Sequence, residues 1–166
     1  MINRKGEICI RGRNIMKGYH NKPQETQAAF RGEWFRSGDI GTMDEDGYLY
    51  IVDRLKDMII TGGENVYPRE IEEILFQRPE VQECAVIGLP DREWGERVTA
   101  VIIPKPGQVL DAGKIKAYLK GRLSAFKVPK EYLMVKELPK SPTGKILKRE
   151  LRKSVSLPLL KPGKDK

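Results

Sequence analysis

Two continuous apolar runs constrain this chain most: Cys84-Ala85-Val86-Ile87-Gly88, and Val98-Thr99-Ala100-Val101-Ile102-Ile103. Neither alternates with polar residues, as a strand with one wet face would. Such runs read as strands covered on both faces, so helices must lie above and below the sheet that holds them. The sequence offers those helices. Pro68 opens one at the first helical position, with Glu70, Glu72 and Glu73 near the positive end of its dipole. Ile71, Ile74 and Leu75 form its apolar stripe, and Arg78-Pro79 stops it. Asp111 caps a second helix predicted through Ser124, with Ile115, Tyr118, Leu119 and Leu123 inward. Tyr132 to Val135 is a further strand, and Lys148 to Ser154 a last helical turn or two. Met58 to Thr61 is a short strand that breaks at Gly62-Gly63.

The first 52 residues have another texture. Glu7 to Gly12 and Trp34 to Asp39 read as strands, and Tyr48 to Val52 returns from a turn at Asp44-Glu45-Asp46-Gly47. Pro23 to Phe30 reads as one short helix with Ala28, Ala29 and Phe30 facing in. Asp53 to Asp57 is a charged bridge to the helix-bearing remainder of the chain. The expected division is therefore a β-rich piece over 1–52, an α+β domain over 53–154, and a basic, frayed tail over 155–166. The first piece is too short and too rich in strand to close its own sheet, which suggests that it is the end of something larger.

The net charge of +8 invites a nucleic-acid reading, but its distribution argues against one. Residues 139–166 hold nine cations against Glu150 and Asp165, which accounts for seven of those eight charges. A basic end segment is commonly a solvated helix and tail, and no nucleic-acid motif accompanies it. No apolar run reaches 18 residues, so no membrane span is expected. Cys9 and Cys84 lie in strand-like contexts without metal spacing. They are expected to be buried small hydrophobes in a reducing compartment, in keeping with a cytoplasmic protein. His20 is the single histidine, so no Ser–His or Cys–His system exists unless it serves.

One loop stands apart: Leu138-Pro139-Lys140-Ser141-Pro142-Thr143-Gly144-Lys145-Ile146. The two prolines exclude helix, and Thr143-Gly144 supplies a turn whose glycine takes positive φ. Lys145 follows at once, a point cation on a tight turn. Read alone, the loop fits a solvated hairpin as well as a cation built for insertion into a site.

Together, Ser37-Gly38-Asp39, Asp53-Arg54-Leu55-Lys56 with Gly62-Gly63-Glu64-Asn65, and the Lys145 loop resemble the adenylate-forming enzymes. These comprise acyl-CoA synthetases, aryl-CoA ligases, luciferases and peptide-synthetase adenylation domains. The likeness runs from Gly6 to about Leu151 and is strongest to acyl- and aryl-CoA synthetases. It implies an α+β fold: a small C-terminal domain with a mixed sheet flanked by helices, preceded by a β-rich tail of a large N-terminal domain. It implies two steps, in which a carboxylate and ATP give an acyl-adenylate and coenzyme A then takes the acyl group. The small domain turns between them.

Residue by residue, the resemblance makes Asp39 the ribose-binding carboxylate and Arg54 a second nucleotide contact. Lys56 becomes the hinge and Lys145 the adenylating cation. Gly62 and Gly63 become the walls of the pantetheine tunnel, and Trp94, Phe126 and Lys130 the coenzyme A nucleotide site. Val128 stands where some relatives carry arginine. Each position has a plainer reading: a turn cap at Asp39, an ion pair of Arg54 with Asp53 or Asp57, a strand-to-loop turn at the glycines, core packing for Trp94 and Phe126. The implied cofactors are ATP, with Mg2+ in the complete enzyme, and coenzyme A; the implied partners are a fatty or aryl carboxylic acid and the large domain that this chain lacks. The glycine-, serine- and threonine-rich phosphate loop of the family is not in the sequence, so the chain by itself is expected to be inactive. Two alternatives stay open. One is a standalone module that binds coenzyme A, a nucleotide or a partner without catalysis; the other is an enzyme whose acceptor is a carrier-protein thiol.

Overall fold

A computed structural model describes residues 4–156. The chain divides into two compact units, Met1–Lys56 and Asp57–Lys166.

In the first unit, β3 (Trp34–Met43) is the long central strand of an antiparallel sheet. It pairs with β1 (Gly6–Ile10), with the two-residue β2 (Phe30–Arg31) and with β4 (Leu49–Arg54). The turn before β4 closes as expected: the Gly47 N–H donates to the Asp44 carbonyl at 3.2 Å, and the Asp44 side chain accepts from the Tyr48 N–H at 2.8 Å. Three expectations need correcting here. Helix α1 (Pro23–Ala29) buries no residue, and Ala28 is exposed. Phe30 instead opens β2 and packs edge-on to Phe35, with ring centroids 5.5 Å apart. The charged stretch from Asp53 is no bridge at first: Asp53 and Arg54 complete β4, whose pairing reaches Asp39↔Arg54. Only Leu55–Asp57 leaves the sheet, as a single 3-10 turn. Cys9 is exposed rather than buried, because β1 is an edge strand with one neighbour.

The second unit is an α+β domain around a mixed sheet. The two apolar runs form one long antiparallel hairpin, β7 (Val81–Asp91) and β8 (Gly95–Pro104). On its other side β8 takes β5 (Ile59–Thr61) at one end, through Thr61↔Gly95, and β9 (Glu131–Met134) in parallel at the other. Beside β5 runs β6 (Glu64–Val66), a strand the glycine pair had hidden in the sequence. Both faces of the hairpin are covered, as unbroken apolar strands require. Ile71 and Leu75 of α2 (Pro68–Phe76), with Ile115 and Leu119 of α3 (Ala112–Lys120), close one face over Val86, Val98, Ala100 and Ile102. Leu151 of α4 (Lys148–Ser156), with Leu138, closes the other over Ala85, Ile87, Val101 and Ile103.

Asp111 caps α3 by accepting the Lys114 N–H at 3.0 Å. The helix stops at Lys120 rather than Ser124, because Gly121 has little helical preference and the chain turns there; Leu123 still packs on the core. Helix α4 continues through Ser156, so Val155 and Ser156 are helical rather than part of a frayed tail. The remainder of that tail, residues 157–166, lies outside the described residues. Among the described residues no helix is long and apolar enough to cross a membrane.

Candidate functional site

The residues singled out in the sequence fall into three groups. In the first unit, the β3–β4 register sets Asp39 opposite Arg54. Arg54 Nε lies 2.9 Å from Asp39 Oδ1, yet its N–H is not aimed at that oxygen and makes no hydrogen bond. The Asp39 N–H is held by Ser37 Oγ at 3.0 Å, so the Ser37-Gly38-Asp39 turn fixes the carboxylate. Both side chains are about one-third to two-fifths exposed, so they are presented rather than buried. The plainer reading of Arg54 set it against Asp53 or Asp57; the structure sets its guanidinium against Asp39. Asp53 is buried and accepts the Arg54 backbone N–H at 2.7 Å. Lys56 is exposed on the 3-10 turn and is the last residue of this unit.

The second group lies at the tip of the β7–β8 hairpin. The Asp91 carboxylate accepts the backbone N–H groups of Trp94 and Glu93, each at 3.0 Å. Those two bonds, with Lys130 and Arg97 nearby, hold its pKa below the ordinary carboxylate value. The turn so fixed projects Trp94, whose residue is 39% exposed. Gly62 packs against the indole: its N–H donates to the Trp94 carbonyl at 2.9 Å, and a Cβ there would sit 2.8 Å from Trp94 Cε3. Gly62 is also at φ +58°, the left-handed region that glycine enters without strain. Gly63, at φ +81°, faces open space instead. Over the ring stands Lys130 Nζ, 3.2 Å from the centroid. A base stacking on that face requires the ammonium to swing aside.

Sequence reasoning named Phe126 with this cluster. Phe126 lies on the 3-10 turn Ala125–Lys127, half-buried against the α2–α3 core, with Lys127 beside it bonded to Glu70 at 2.7 Å. Val128 is a core residue, 5% exposed. Its apolar character therefore follows from packing.

The third group is the Lys145 loop, which is a closed hairpin. Lys140 bridges Ile146, the Ser141 N–H donates to the Lys145 carbonyl at 2.8 Å, and the Leu147 N–H to the Pro139 carbonyl at 2.8 Å. Gly144 takes φ +80°, and Ser141 Oγ accepts the Lys145 N–H at 3.2 Å. Lys145 is exposed, and among the described residues no carboxylate or other acceptor holds its ammonium. Its neighbours differ: Lys140 reaches Glu83 Oε1 at 2.6 Å, and Lys148 reaches Glu72 Oε1 at 2.8 Å. These two stem contacts were not foreseen, since charge patterning along one helix reveals only partners three or four residues apart.

The tip of β7 at Asp91 and the anchorage of the Lys145 hairpin at Glu83 are far apart on one strand. Eight residues at about 3.3 Å each separate them by roughly 26 Å. One unit thus carries two distinct presenting surfaces.

The profile of the family described as AMP-binding enzyme C-terminal domain matches residues 70–145. The match covers just under half of the chain. That stretch includes most of α2, both core strands, the Trp94 turn and Lys145. Among curated relatives, a feruloyl-CoA synthase of an Amycolatopsis species is 50% identical over 149 residues, covering 90% of this chain and 30% of the relative. A long-chain-fatty-acid–CoA ligase of Mycobacterium tuberculosis is 49% identical over 152 residues, covering 92% of this chain and 30% of its own length. Among solved structures, the o-succinylbenzoate CoA synthetase of Bacillus subtilis, in complex with an acyl-adenylate intermediate, superposes with a TM-score of 0.84 at 36% identity. That match covers 92% of this chain and 31% of the synthetase. The chain therefore spans about 30% of the length of the CoA ligases it matches.

Proposed function

We propose that this chain supplies the C-terminal part of an ATP-dependent acyl-CoA synthetase, which activates a fatty or aryl carboxylic acid as its adenylate and passes the acyl group to coenzyme A. The observation that carries the reading is Lys145: an exposed ammonium on a hairpin whose backbone is closed on itself, in a chain otherwise matched by CoA ligases.

In the first step a carboxylate oxygen attacks the α-phosphorus of ATP and pyrophosphate leaves. Lys145 lies between the two anions, holds them together and offsets the charge that grows on phosphorus. Removing such a contact costs about 10²–10³ in rate. Asp39 accepts hydrogen bonds from the ribose hydroxyls, and Arg54 beside it turns its guanidinium to the nucleotide. Magnesium enters as the counter-ion of ATP; the described residues bring no three His, Cys, Asp or Glu side chains together as a metal site.

In the second step the coenzyme A thiolate attacks the acyl carbonyl and AMP leaves. Gly62 and Gly63 line the path of the pantetheine arm, where side chains would obstruct it. Trp94 stacks on the adenine, Phe126 contributes its half-exposed ring, and Lys130, once off the indole, meets the 3′-phosphate. The roughly 26 Å between the two surfaces supports their use in turn, and Lys56 at the division between the units is the proposed hinge. The paired large domain and a cytoplasmic setting belong to this same reading.

A second reading, a coenzyme A-binding module without catalysis, draws on the fact that Gly62, Trp94 and Lys130 meet within one unit. The two are separated by joining this chain to the large domain of a CoA ligase relative and substituting Lys145→Ala. The synthetase reading predicts loss of adenylate formation with thioester formation from supplied acyl-adenylate retained. Adenylate formation untouched by the substitution favours the module, and equal loss of both half-reactions overturns the role given to Lys145.

A further inference from the structure

The hairpin that presents Lys145 is tied down at both stems by cations. Upstream, Lys140 meets Glu83 on β7 at 2.6 Å, a pair partly open to water. Downstream, Lys148 stands three residues past Lys145 as the first residue of α4 and meets Glu72 of α2 at 2.8 Å. These side chains are only 14% and 15% exposed. The same oxygen, Glu72 Oε1, accepts the Val86 backbone N–H at 2.7 Å. β7 has a strand neighbour on one side only, so this carboxylate satisfies an edge amide that the sheet leaves over. Helix α2 covers one face of the sheet and α4 the other. Their meeting at one oxygen on the edge of β7 joins both layers at the point where the hairpin becomes helix. A lysine in the first turn is also the wrong sign for the helix dipole, so its place there depends on the anion facing it.

We propose that Glu72 and Lys148 are positioning residues for Lys145. The pair fixes the first turn of α4 against the edge of β7, and through the two intervening residues, Ile146 and Leu147, it sets where the Lys145 ammonium points. The proposal rests on the reading of Lys145 as the adenylating cation.

Two arms test it. In this chain joined to the large domain of a CoA ligase relative, Glu72→Gln keeps an oxygen for the Val86 N–H but removes the charge that holds Lys148. Lys148→Met keeps the aliphatic stem. Each is expected to lower the rate of adenylate formation by about 10- to 100-fold, the cost of misplacing a reacting group by an ångström or so. Thioester formation from supplied acyl-adenylate is expected to stay unchanged, Lys148→Arg to recover most of the rate, and the double variant to be no worse than either single one. In the second arm, on the chain itself, amide hydrogen exchange at Ser141 and Leu147 is expected to quicken in both variants while Val101 in the core stays protected. Both half-reactions falling together, or hairpin amides that exchange as before, would overturn the proposal. Unchanged adenylation in these variants would overturn it too, provided Lys145→Ala still abolishes the step. Unchanged adenylation in Lys145→Ala would instead bring down the reading beneath it, and the exchange arm would still judge the clamp.

Discussion

Substituting Gly62→Ala tests the Trp94 platform at its tightest point. The new methyl would lie 2.8 Å from Trp94 Cε3 and 3.1 Å from Cζ3. Carbon atoms settle at about 3.5–4.0 Å, so the indole must retreat by roughly 0.7 Å or more. Holding alanine at φ +58° adds about 1–2 kcal/mol. A displaced ring also loosens from the Lys130 ammonium 3.2 Å above it, a contact of about 0.5–1 kcal/mol at an exposed site. Together with modest overpacking the substitution should cost about 2–4 kcal/mol. Gly63→Ala is the internal control. It shares the left-handed backbone, φ +81°, but its Cβ meets nothing within 4 Å, so the cost is about 1–2 kcal/mol of backbone strain alone. Urea unfolding of the chain measures both losses. Trp94 emission, read in a Trp34→Phe background, reports the ring itself, and it should shift for Gly62→Ala only. Equal destabilisation with identical emission would refute the claim that Gly62 is small because the indole lies on it.

The two thiols should differ sharply. Burial pushes the Cys84 pKa up to about 12, whereas Cys9 is exposed, so a thiol reagent at pH 8 should titrate one cysteine in the folded chain and two after unfolding. The same burial sets a pH dependence. The unfolded Cys84 thiol ionises near 9.0 while the folded one keeps its proton, so this contribution to stability is complete below pH 9 and lost as pH rises toward 12, as alkaline unfolding curves of wild type and Cys84→Ala would show. Asp39→Ala, in the chain joined to a large domain, should raise the KM for ATP about tenfold, as loss of hydrogen bonds from a charged acceptor implies; an unchanged KM would return Asp39 to the role of a partner for Arg54. Trp94→Leu should weaken coenzyme A by about 1–3 kcal/mol in calorimetry with little change in folding, while Phe126→Leu, half-buried against the core, should cost stability as well.

Much of the second unit was legible because its signals are redundant. The runs around Val86 and Val101 demand cover on both faces, and α2 and α3 carry stripes of matching width at Ile71, Leu75, Ile115 and Leu119. Proline at the first turn of α2 and aspartate at the cap of α3 mark starts that need no tertiary context. The misreadings fall where context decides. Glu64–Val66 became a strand because β5 lay beside it, although its composition does not favour one. Gly121 ended α3 early while Leu123 kept its place in the core, so the apolar spacing outlasted the helix. Cys9 looked buried because a strand's inward residues are apolar, but an edge strand need not have an inside at that position. For the candidate site, it was the resemblance of the motifs to a known family that pointed to Asp39, Gly62, Trp94 and Lys145. The spatial pairings Arg54–Asp39, Lys130–Trp94 and Lys148–Glu72 join residues 15, 36 and 76 positions apart, and no local pattern encodes them.

The most direct measurement of the central claim is ATP–pyrophosphate exchange with a panel of fatty and aryl acids. It compares this chain alone, the large domain of a CoA ligase relative alone, and the two joined. The account predicts negligible exchange by either part and restored exchange by the joined protein, lost again on Lys145→Ala. Robust exchange by this chain alone, or a joined protein no more active than its large domain, would contradict it.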